Sequence, residues 1–127
     1  MQLVVTEKPS VAQAISHVIG AKERKDGYME GNGFLVSWCV GHLVELAQPE
    51  MYSEAWKKWS YESLPMIAEQ WQHEVKKETA TQYKNLKNLM HDTRVESVVC
   101  ATDAGREGEL IFRLVYEQAG CRKPMKR

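Results

Sequence analysis

Residues Val98–Leu110 read VVCATDAGREGEL. A short apolar run, Val98 to Ala101, gives way to a turn carrying Asp103, Gly105, Arg106, Glu107, Gly108 and Glu109, and a second apolar pattern opens at Leu110. Apolar run, acidic turn and amphipathic helix is the order in which a parallel α/β sheet brings carboxylates to the C-terminal edge of a strand, where such sheets bind ligands. Asp103 and Glu107, with small residues between them, suit a hard cation such as Mg²⁺ better than a packed core. The plainer reading is that carboxylates favour helix N-termini. On spacing alone the plainer reading is slightly the stronger. The turn is no phosphate-binding glycine loop, having neither GxGxxG nor GxxxxGK[ST].

Upstream, Gln2–Val5 predicts a short buried strand that ends in Thr6-Glu7-Lys8-Pro9-Ser10. Val11, Ala14, Ile15, Val18 and Ile19 then recur at helical spacing up to Gly20. Pro9 suits the first turn of that helix, while Ser10 with Gln13 offers a capping box instead. Lys22–Gly27 reads as a polar loop. Gly31-Asn32-Gly33 between two extended runs predicts a β-hairpin, with Phe34–Val40 as a buried strand ended by Gly41-His42.

From Ala47 to Lys77 the pattern weakens. Pro49 and Pro65 punctuate a stretch with Trp56, Trp59 and Trp71, too aromatic for a disordered linker. It reads as an ordered excursion packed onto the domain, its tryptophans packing residues first and base-stacking residues second. Thr79 with Gln82 offers another capping box for a helix carrying Tyr83, Leu86, Leu89 and Met90 up to about His91. Asp92-Thr93-Arg94 turns the chain, Val95–Ala101 forms a strand, and the helix after the acidic turn runs to about Gly120. Strands alternating with helices predict a mostly parallel sheet with helices on both faces. Glu7 after one strand and Asp103 and Glu107 after another then gather at one sheet edge. Lys8 and Arg106 beside them offer charge for a phosphodiester. Together these residue types suit phosphoryl transfer. His42 is more readily a hydrogen-bonded structural residue than a ligand or a catalytic group.

Composition narrows the class. The sequence has 127 residues, enough for one domain with its own core. It is 43% hydrophobic, with 17 basic and 17 acidic residues, which counts against a stand-alone basic nucleic-acid binder but not against a carboxylate site. Cys39, Cys100 and Cys121 lack CxxC spacing and read as buried free thiols in a reducing, cytoplasmic setting. No signal peptide or membrane-spanning run is expected. No Ser, His and Asp fall at a spacing that supports nucleophilic catalysis.

Three blocks, TEKPSVAQAI, WCVGHLVELAQPE and ATDAGREGELI, resemble in content and order the N-terminal Toprim domain of type IA DNA topoisomerases, within it the topoisomerase III branch. The resemblance covers essentially the whole chain. Primases, gyrase-type topoisomerases and small Toprim nucleases share the glutamate and the acidic turn, but the EKPS and REGE-L-I blocks with WCVGHL between them favour type IA. It implies a Toprim, Rossmann-like α/β fold of about four parallel strands, residues 1–127 forming a single Toprim domain of a longer polypeptide. It also implies an Asp-x-Asp-x-Glu motif plus a distant glutamate. Glu7 matches the distant glutamate, Asp103 the first Asp and Glu107 the final Glu, so Glu7, Asp103 and Glu107 are the expected Mg²⁺ ligands. Gly105 stands at the middle Asp position, which removes one possible ligand. Lys8 matches a lysine that approaches the scissile phosphate, and Arg106 belongs to the REGE segment; Glu7, Lys8 and Arg106 are the expected catalytic residues, and Lys8, Arg106 and His42 the expected DNA contacts.

The implied reaction is ATP-independent DNA strand cleavage, strand passage and religation through a transient 5′-phosphotyrosine. The tyrosine nucleophile is expected in a later domain, because Tyr28, Tyr52, Tyr61, Tyr83 and Tyr116 match no nucleophile motif. This fragment alone is then expected to be inactive. Expected partners are single-stranded DNA segments and the remaining domains of the same polypeptide, in the cytoplasm at a bacterial nucleoid or plasmid. The alternatives are a stand-alone Toprim nuclease or ribosomal-RNA maturase, and a Mg²⁺-binding nucleic-acid interaction module.

Overall fold

A computed structural model describes residues 1–127. Strand β1 (Gln2–Thr6) lies at the centre of a six-stranded sheet, hydrogen-bonded in parallel to β4 (Phe34–Trp38) on one side and β7 (Ser97–Ala101) on the other. A short strand β8 (Met125–Lys126) adds in parallel to β7, so four parallel strands form the heart of the sheet. β2 (Glu23–Lys25) and β3 (Tyr28–Gly31) complete it antiparallel beyond β4. The β3–β4 hairpin turns on Asn32 and Gly33, both at positive φ (51° and 81°), the backbone a tight two-residue hairpin requires. β2 differs from the expected loop. Its Glu-Arg-Lys sequence has no apolar alternation because it is an edge strand, where exposed charges block further pairing.

Alternation along the central strands divides the core between two faces. Val4 and Val36 pack with Ala12 under α1 (Pro9–Ile19) on one face. Leu3, Val5, Leu35, Val98 and Cys100 pack on the other with Leu86, Phe112 and Val115, from α2 (Ala80–Met90) and α3 (Arg106–Gln118). Phe112 is fully buried, a burial that stabilises by roughly 1.5–3 kcal/mol. The expected three-layer parallel α/β arrangement is therefore present, with helices on both faces. All three cysteines are buried and free, and no helix is long and apolar enough to cross a membrane.

Helix starts show where local signals compete. Lys8, in extended backbone, precedes α1 and Pro9 takes its first turn, so the proline and not a Ser10–Gln13 box begins the helix. Thr79 makes no cap hydrogen bond before α2, because a 3₁₀ turn over Lys77–Thr79 leads directly into it. Gln82 instead donates to the Trp38 carbonyl (2.7 Å) and the Ser37 hydroxyl (3.2 Å), tying α2 to the end of β4.

The long excursion is closed at its base by a two-stranded ribbon, β5 (Val44–Leu46) with β6 (His73–Val75). Between them run three 3₁₀ turns. Tyr52 is the hub, with Trp56 and Trp71 at ring distances of 6.2 and 6.1 Å. Trp59, 74% exposed, departs from the expectation that the tryptophans are packing residues, whereas Trp71, 58% exposed, packs edge-on against Tyr52.

Candidate metal and phosphate site

Parallel pairing decides which loops meet. Thr6 is opposite both Trp38 and Ala101, so β1, β4 and β7 end level. Glu7, His42 and the acidic turn follow those three ends. This edge lies where the chain crosses from one side of β1 to the other, the place at which open α/β sheets hold ligands.

Glu7 is half-buried. Thr6 fixes the backbone around it: its fully buried hydroxyl donates to the Lys8 carbonyl at 2.9 Å. One Glu7 carboxylate oxygen, Oε1, is buried without a hydrogen-bond partner. A buried unpaired carboxylate oxygen is costly, so the site is built to present it to something. Beneath it, burial first and the Glu7 carboxylate second push the Cys39 thiol up to about 12, which keeps that sulfur protonated and chemically quiet.

Asp103 and Glu107 are exposed on the acidic turn and the first turn of α3. Gly105 is the residue before the helix, with extended φ and ψ (−77°, 170°) and open space around it. Gly108 is the reverse: a Cβ there would stand 2.3 Å from the Asp103 carbonyl oxygen, so only glycine lets the helix fold back against the turn. His42 Nε2 contacts Glu107 Oε1, joining the loop after β4 to α3. The expectation of a hydrogen-bonded His42 is met, and its partner is one of the site's own carboxylates. Lys8 and Arg106 are exposed and take part in no ion pair. Both cations are free to meet an anion at this edge.

No three His, Cys, Asp or Glu side chains close into a ready-made cage. Mg²⁺ does not need one, since it binds through one or two carboxylates and keeps waters that phosphate oxygens replace. The unpaired Glu7 oxygen and the all-oxygen donor set fit such an ion.

A model of the Toprim domain matches residues 2–127. The chain belongs to the Toprim family. It is 46% identical over 124 residues to DNA topoisomerase 3 of Shouchella clausii (strain KSM-K16), covering 98% of this chain and 17% of that protein. It is 45% identical over 125 residues to DNA topoisomerase 3 of Staphylococcus haemolyticus (strain JCSC1435), covering 98% and 18%. The Toprim chain thus spans about a sixth of the length of the curated relatives it matches.

Two residues that shape the Toprim site escaped the sequence reading. Thr6 is expected in the turn after the Gln2–Val5 strand but is the last residue of β1, and a polar residue closing an apolar run is the one signal for it. Arg127 lies beyond the last element expected from the sequence, yet its guanidinium reaches the acidic turn. No local pattern marks that contact, because it depends on β8 lying beside β7.

Proposed function

We propose that the chain is the Toprim domain of a type IA, topoisomerase III-like enzyme, supplying the acid–base and cation-binding groups for DNA strand cleavage and rejoining. The observation that carries this is that Glu7, with its buried unpaired oxygen, and the Asp103–Glu107 turn follow parallel strands that end level at one sheet edge. In this reading the substrate is a single-stranded DNA segment in the cytoplasm, and the attacking tyrosine comes from a further domain of the same polypeptide. The tyrosine oxygen bonds to phosphorus as the bond to the 3′-oxygen breaks, its phenolic proton passing to solvent. Glu7 acts at the leaving 3′-oxygen either as a protonated general acid, giving that oxygen its proton and taking it back on rejoining, or as a cation ligand. Lys8 and Arg106 hold the phosphate oxygens, and His42 holds Glu107 in place and borders the DNA. Mg²⁺, held by Asp103 and Glu107, and by Glu7 where it serves as ligand and not as acid, would neutralise charge on the phosphate.

The test is a chimera in which residues 1–127 replace the matching segment of the Shouchella clausii protein. Mg²⁺-dependent relaxation of negatively supercoiled plasmid is expected, and Glu7→Gln in the chimera should reduce it by about 10²-fold or more. An inactive chimera, together with Mg²⁺-dependent nuclease activity of the isolated chain on DNA or structured RNA, would replace this reading with a stand-alone Toprim nuclease.

A further inference from the structure

Arg127 follows β8, and the parallel register of β8 on β7 (Val98 with Met125, Val99 with Lys126) carries its side chain towards the C-terminal end of β7. There one guanidinium donates four hydrogen bonds. Nη2 reaches the backbone carbonyls of Asp103 (2.7 Å) and Thr102 (3.2 Å), and Nη1 reaches Glu109 Oε2 (2.7 Å) and Cys100 Sγ (3.0 Å). These acceptors come from the end of β7, the turn itself and the first turn of α3. Gly108 presses on the same Asp103 peptide from inside the helix, and Arg113 holds Glu109 at 2.9 Å. The Asp103 peptide is therefore fixed from two directions while its carboxylate stays exposed.

We propose that Arg127 is a positioning residue, which holds the backbone of the acidic turn so that the Asp103 and Glu107 carboxylates are preorganised for a divalent cation. It touches neither carboxylate, so it acts through the peptide groups and Glu109. The inference rests on the reading of Asp103 and Glu107 as metal ligands. Arginine is required because one planar fork must serve two carbonyls and a carboxylate at once, which a lysine ammonium on a flexible stem cannot match.

Electrostatics supplies a sign that separates positioning from simple charge. Arg127 is a cation close to a cation site, and it also neutralises Glu109. If only charge mattered, removing it would tighten Mg²⁺ binding. If Arg127 positions the turn, removing it weakens binding, since loss of a residue that orients metal ligands typically costs about 10–100-fold in affinity.

The experiment is a Mg²⁺ titration of the ¹⁵N-labelled 127-residue chain, following the Asp103 and Glu107 amides, for wild type, Arg127→Gln and Arg127→Lys, with thermal unfolding of each. Both variants are expected to bind Mg²⁺ about tenfold or more weakly, with the amide signals of β1 and β4 unchanged. Unchanged or tighter binding by Arg127→Gln overturns the proposal, as does wild-type affinity in Arg127→Lys. Should Arg127→Gln fail to fold, Arg127→Lys decides alone. Wild type that shows no response at either amide overturns the metal reading and this inference with it. Wild-type binding with unaffected variants overturns this inference only.

Discussion

A Cβ at Gly108 would stand 2.3 Å from the Asp103 carbonyl oxygen and 2.9 Å from its nitrogen, both backbone atoms with nowhere to move. Alanine would ordinarily gain up to about 1 kcal/mol of helix propensity over glycine, but forcing that contact costs about 1–3 kcal/mol. Gly108→Ala should therefore lower stability in urea unfolding and weaken Mg²⁺ binding, because the strain falls on the turn that carries Asp103. Gly105 is the contrasting case. Its backbone suits any residue, nothing lies within 4 Å of its would-be Cβ, and it occupies the cap of α3. Aspartate caps a helix better than glycine by only a few tenths of a kcal/mol, so Gly105→Asp should leave the melting temperature nearly unchanged. If position 105 faces the ion, the added carboxylate tightens Mg²⁺ binding in isothermal titration; unchanged affinity removes it from the ligand shell. Both glycines stood in the sequence beside the same carboxylates. Spacing alone gave no means of telling which was required by crowding.

Between α2 and β7, Arg94 ties two elements together. Its guanidinium pairs with Asp92 (2.9 Å) in its own turn and with Glu30 (2.7 Å) on β3. The hydrogen bonds from Arg94, side chain first and backbone second, hold the Asp92 carboxyl below its ordinary value of 3.8. A carboxylate whose folded value is depressed stabilises the fold above the unfolded value and loses that contribution as pH falls through the folded one. Arg94→Ala should accordingly lower stability at neutral pH and flatten the acid side of the stability curve below about pH 4, read by urea unfolding between pH 2 and 7. A parallel loss at every pH would show that the pair does not control the acid limb. At this scale the sequence was legible where a pattern belonged to one element. The Asn32-Gly33 hairpin and the apolar stripe of α3 needed nothing distant. The charged edge strand β2 was not legible, since its strand character comes from pairing with β3 and not from its own residues. The exposed Trp59 was missed for a related reason: burial depends on where the β5–β6 ribbon holds the excursion, and periodicity does not report that.

At the scale of the whole chain, the proposed function rests on register. Strands β1, β4 and β7 end together, so residues separated in sequence by almost the entire chain, Glu7 and the acidic turn, share one edge. Alternation of strands with helices made this edge foreseeable. What it did not reveal was the closing of the site by elements outside the βα pattern, with His42 reaching Glu107 and Arg127 reaching the Asp103 peptide. The central proposal is that Glu7, Asp103 and Glu107 serve one divalent cation across the ends of two strands. Its most direct test is Mg²⁺ titration of the 127-residue chain by NMR, beside the Glu7→Gln variant. The Glu7, Asp103 and Glu107 amides should shift with one common dissociation constant, and Glu7→Gln should weaken the response of the other two. Shifts at Asp103 and Glu107 that ignore Glu7→Gln, or no shift at any of the three, would contradict it.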